Sequence, residues 1–144
     1  MDRPVTGPHQ LVNPETLPPP KGFAHAVVAK GDTTVYLGGQ AGHRPDGTLV
    51  GDDLVDQFDQ ACANVVAALE AAGGRPEHLV QLLIFTTDLS GYRDGMGPIG
   101  KAYRKHFRKH YPAMALLGTT ELFDPGAKVE LVGVAVIPSQ TSSA

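Results

Sequence analysis

Glu130 stands inside an apolar run, KVELVGVAVI, between Val129 and Leu131. A carboxylate in such a run is costly unless it is paired or functional. Burial would raise its pKa toward values useful for moving a proton. Strand alternation equally allows Glu130 to face solvent from the side opposite its apolar neighbours. His25, between Ala24 and Ala26, titrates near neutrality and suits an acid, a base or an orienting donor. The plainer reading is a strand histidine with a structural hydrogen bond. If both reach one cleft, His25 and Glu130 form an acid/base pair. Gly38 and Gly39, followed by Gln40, suit close approach of a ligand to backbone N–H groups. A tight bulge at a strand end explains them as well.

Other candidates carry less. Cys62 is the single cysteine, so no intramolecular disulfide forms and a Cys-rich metal site is excluded. His106 and His110 are spaced i, i+4 but lack an HExxH context, so they read as surface residues and no metal site is expected. Lys101, Arg104, Lys105 and Arg108 share one helical face that could meet phosphates. The solvated face of an amphipathic helix is the commoner meaning of such a pattern. There is no GxSxG, Walker loop or dinucleotide fingerprint.

The elements that must position these residues follow from periodicity. Ala24–Ala29 and Thr33–Leu37 flank Gly31-Asp32 and predict a hairpin. Asp52 or Asp53 caps a helix whose stripe is Leu54, Phe58, Cys62, Val65 and Leu69, stopped by Gly73-Gly74. Val80–Thr87 reads as a buried strand, and Thr86-Thr87-Asp88 as the turn that ends it. Met96–His110 reads as a second helix with Ile99, Tyr103 and Phe107 on one face. Met114–Thr119 and Lys128–Ile137 complete the strands, with turns at Pro45-Asp46-Gly47-Thr48 and Phe123-Asp124-Pro125-Gly126. The order β-β-α-β-α-β-β, two helices on one mixed sheet, is an α+β domain of two layers.

The chain has 144 residues, 42% hydrophobic and 19% charged, with a net charge of −3. That fits one domain burying roughly 68% of its unfolded surface. The acidic balance disfavours a global nucleic-acid binder. No apolar run has the length of a signal peptide or a membrane span, so a cytoplasmic location is expected. Residues 1–22 hold six of the 12 prolines and read as an extended or irregular arm, 23–138 as the domain, 139–144 as a frayed polar tail.

The ordered set NPETLPPP, GFAHAVVA, VYLGGQAG, DGTLVGDDLVDQ, NVVAALEAAGG, IFTTDL, HYPAMALL and KVELVGVAVI resembles the Rid/YjgF family from Asn13 to Pro138. The resemblance implies a chorismate-mutase-like fold and a homotrimer with a cleft at each subunit interface. It implies hydrolysis of reactive imines and enamines to keto acids and ammonia, without a cofactor. In it, Glu130 matches the acidic residue that positions the hydrolytic water. Phe23, Gly38, Gly39, Gln40, Met114 and Leu116 fall around the substrate. Met114 stands where the family has the arginine that grips the substrate carboxylate, and Gly100 where it has an Asn. Arginine offers a charged fork, methionine a soft apolar surface. The expected substrate is therefore an imine or enamine without a standard α-imino acid's carboxylate placement, hydrolysed or tautomerised by Glu130 with His25 assisting. A non-catalytic binding or chaperone-like trimer is the alternative, and an RNA-acting protein the third. The expected partners are a small-molecule substrate and further copies of the chain, with no membrane and no nucleic acid.

Overall fold

In the computed structural model, which describes residues 7–139, the first strand lies inside the proline-rich arm. Gln10–Val12 (β1) pairs antiparallel with Ala26–Val28 (β2). The expected hairpin is therefore not formed. Thr33–Ala41 (β3) pairs instead with Val129–Ile137 (β6). The reason is visible at Gly31. A Cβ there would collide with the Ile137 carbonyl, so this glycine lets the turn lie flat against the end of β6. The chain then enters β3 beside the most apolar strand available, where inward side chains bury on every second residue.

Leu79–Thr86 (β4) and Ala113–Gly118 (β5) complete a sheet of order β3-β6-β4-β5. The β4–β5 pair is parallel and the other two are antiparallel. The fold is thus α+β with a mixed sheet. Leu54–Ala71 (α1) begins at Asp53, whose carboxylate accepts from the Asp56 amide. Its stripe Leu54, Phe58, Ala61, Cys62, Val65 and Leu69 is buried, as the spacing requires. A short helix, Leu89–Asp94 (α2), is capped by Asp88 and was not predicted. It ends the strand beyond Thr86, whose hydroxyl donates to the Lys128 carbonyl.

Met96–Phe107 (α3) stops three residues earlier than expected, at Arg108 with φ 57°. Ile99, Tyr103 and Phe107 pack with α1 and with Leu37, Leu82, Ile84 and Leu131 of the sheet. His110, expected at the surface, is buried instead, and its Nε2 donates to the Leu79 carbonyl at 2.8 Å. The early stop of α3 turns this ring into the core. His106 is held by Asp59 of α1 at 2.6 Å.

Both long helices lie on one face of the sheet. The other face carries Leu83, Phe85, Val132 and Val134, all half-buried, with Tyr36 80% exposed. It is apolar, and nothing among the described residues lies over it as a layer. No helix of the described residues is long and apolar enough to cross a membrane. The ends of the expected arm and tail, residues 1–6 and 140–144, lie outside the described residues.

Candidate functional site

Val129 and Leu131 are fully buried under the helices, so alternation turns Glu130 to the opposite face. The register row Ala41, Glu130, Phe85 places it centrally in the sheet. β3 bulges between Leu37 and Gln40, so Gly38 and Gly39 interrupt the ladder opposite β6. A Cβ built on Gly39 would collide with the Glu130 carboxylate. Gly39 therefore makes the space that the carboxylate occupies. The two sequence readings of Gly38-Gly39 converge: the bulge is also what admits the acid.

Glu130 and Gly39 share a cleft of about 510 Å³. Its far wall is built by the two predicted turns. Gly47 has φ 88°, as the first turn demands, and Asp46 accepts from both the amide and hydroxyl of Thr48. In the second turn Asp124 accepts from the Gly126 amide at 2.9 Å. The other Asp124 oxygen accepts from His43 Nε2 at 2.8 Å. That hydrogen bond holds the Asp124 carboxyl below its ordinary pKa, helped by the Gly126 amide. His43 lines the cleft, and an imidazole so held is fixed in one tautomer, with its second ring nitrogen unpaired among the described residues. Sequence reading missed this dyad. His43 and Asp124 are 81 positions apart, and only the β3–β6 pairing brings their loops together.

The second turn is pinned from below by Gln57. This fully buried side chain donates to the Gly51 and Gly126 carbonyls at 2.7 and 3.1 Å and accepts from the Lys128 amide at 2.7 Å.

The remaining candidates gather elsewhere. Phe23, Met114 and Leu116 line a pocket with Tyr92 and Met96, on the helix side of β5. Met114 packs on the core and accepts from the Tyr103 hydroxyl at 3.6 Å. His25 belongs to this half, its ring edge-on to Phe23 with centroids 5.1 Å apart. Its Nε2 donates to the Pro18 carbonyl at 2.7 Å, and its amide to Asn13. His25 thus ties down the arm and does not line the Glu130 cleft within one chain. Gln40 bends back to the Gly38 carbonyl. The predicted basic face of α3 is divided, because Lys105 is bound to Asp59 at 3.2 Å. Cys62 is buried and its thiol pKa is pushed up by burial, so it is an inert core residue. No group of three or more potential metal ligands occurs among the described residues.

The model of the family described as Endoribonuclease L-PSP matches residues 15–137, nearly all of this fold. The chain belongs to the Rid/YjgF family. A 2-iminobutanoate/2-iminopropanoate deaminase of Mus musculus is 30% identical over 106 residues, 73% of this chain and 75% of that protein. One of Dermatophagoides farinae is 28% identical over 131 residues, 90% of this chain and 98% of that one. Among solved structures, YyfB of Yersinia pestis, titled as a Rid-family protein of unknown function, superposes with a TM-score of 0.78. It is 27% identical and the match covers 90% of this chain and 99% of that one.

Proposed function

We propose that this Rid/YjgF protein hydrolyses an imine, or the imine tautomer of an enamine, in the Glu130 cleft. The observation that carries the reading is the Glu130 carboxylate seated in the space left by Gly39, in a chain of a family whose named relatives are imine deaminases. Glu130 takes a proton from water as the water oxygen bonds to the imine carbon. The imine nitrogen gains a proton, giving a carbinolamine. The C–N bond then breaks, and a carbonyl compound and ammonia leave. Water is the only co-reactant. His43, held by Asp124, carries the proton to nitrogen. This gives His43 the part the sequence reading offered to His25.

The cleft is completed by a second copy of the chain in a cytoplasmic homotrimer. Glu130 with Gly39, and Phe23 with Met114, lie on opposite faces of the sheet, so a neighbour's face is needed to join the halves. The apolar outer face and the fully exposed Phe123 beside the cleft favour such cover. With Met114 in the arginine position, the substrate is one that is not a standard α-imino acid.

The test is imine decay with wild-type protein on imines generated from several amino acids and from simple amines. Accelerated decay of the imines without an α-carboxylate, with the small amino-acid imines little affected, is the expected result. Inertness toward all of them, with the fold intact, would sink the reading and favour a binding module.

A further inference from the structure

Behind Met114 the helix side of the molecule holds a second cavity, of about 420 Å³. That volume lies within the range of small-molecule sites. Its body is apolar and aromatic, with Ile84, Phe58, Ile99 and the paired rings of Tyr103 and Tyr111, stacked 8° apart at 5.1 Å. Two cations stand at its mouth, Lys21 from the arm and Arg104 from α3, and no carboxylate lines it. Neither cation has an ion-pair or side-chain hydrogen-bond partner among the described residues. Arg104 is folded back along its helix. A Cβ on Gly100, one turn earlier, would lie 3.1 Å from its Nη1, so the glycine keeps the guanidinium's berth open.

Tyr92 lines the same cavity, and its hydroxyl makes no hydrogen bond among the described residues, so it is free to donate to a ligand. Burial pushes this phenol up to about 12, so it remains a neutral donor. A guanidinium fork, an ammonium and a phenol donor around an aromatic chamber match one ligand class.

We infer that this cavity binds a carboxylate carried on an apolar body of about phenylpropanoid size, with Arg104 as its anion anchor. This deepens the proposed function. The charge that Met114 cannot offer comes from Arg104 of the helix, on another wall of the same cavity, and so selects a longer, more apolar acid than a small α-imino acid.

The test reads binding rather than turnover, so it stands apart from the hydrolysis assay. Calorimetric Kd values would be taken on the full chain for 3-phenylpropanoate, 3-phenylpropanamide and propanoate. The expected order has 3-phenylpropanoate about tenfold or more tighter than either other probe, because one compound lacks the charge and the other the body. Arg104→Gln should raise the carboxylate's Kd to that of the amide and leave the amide unchanged. Lys21→Gln should do so in part. Equal affinity for acid and amide, no binding of either, or an unchanged carboxylate Kd in Arg104→Gln would overturn the inference. Binding through Arg104 without imine turnover would sink only the hydrolase reading. Turnover with no role for Arg104 would sink only this one.

Discussion

Gly39 and Glu130 act as one unit, because the first has no side chain where the second has its carboxylate. Gly39→Ala should therefore displace a flexible acid rather than break the core. Turnover is expected to drop about tenfold or more with a melting temperature within a few degrees of wild type, as a misplaced catalytic group costs rate before stability. Kinetics and calorimetry on one preparation check it. For the dyad, His43→Gln and Asp124→Asn should each lower turnover on the order of 10²-fold. His25→Gln should instead loosen the arm, read as faster proteolysis ahead of Gly22, with turnover retained. Unchanged turnover in His43→Gln would remove that residue from the mechanism. At this scale the sequence was half legible. Glu130 betrayed itself as an acid in an apolar strand. His43 did not, since its meaning depends on a carboxylate brought from a distant loop.

The elements carry the cleft by fixing two loops, and Gln57 is where they are fixed. It lies on α1 within the helical stripe, and its amide satisfies three backbone groups of the loops around Gly51 and Gly126. Gln57→Leu leaves those groups without partners. The expected loss is about 3 kcal/mol, a melting shift of about 10 °C for a chain of this size. Turnover should fall too, because Asp124 sits on the loop that is freed. The helices and the inner strands were legible from period alone: α1 from its four-four-three-four spacing, β4 and β6 from apolar runs. The hairpin was misread because a Gly-Asp pair between two β-rich runs marks a turn without saying which strands pair across it. Burial against β6 decided the partner. α2 was missed because six residues show too little periodicity to register.

For the whole molecule, two buried histidines, His78 and His110, set the response to acid. His9 donates to the His78 carbonyl, His78 accepts from the Arg75 amide, and His110 donates to Leu79. Burial is the main reason that His78 and His110 hold their protons less firmly than the ordinary 6.5. Both rings are neutral when folded and gain a proton more readily when unfolded. The folded state is then fully stable above the unfolded value and weakens as pH falls through it toward the lower folded values. The melting temperature should decline between about pH 7 and pH 5, and His110→Gln should flatten that decline. Assembly belongs to this scale as well. Leu117, in the register row of Glu130 and Phe85, lies on the open sheet face. In the proposed homotrimer, Leu117→Lys should shift the sedimentation coefficient from trimer to monomer and lower turnover with it.

The most direct measurement is the decay of an imine without an α-carboxylate with Glu130→Gln beside wild type, both confirmed folded and in the same assembly state. The exchange keeps shape and removes the base, so turnover should fall by about 10²-fold or more with substrate affinity little changed. Full activity in Glu130→Gln would mean that the carboxylate beside Gly39 is not the group that handles water, and the central claim would be wrong.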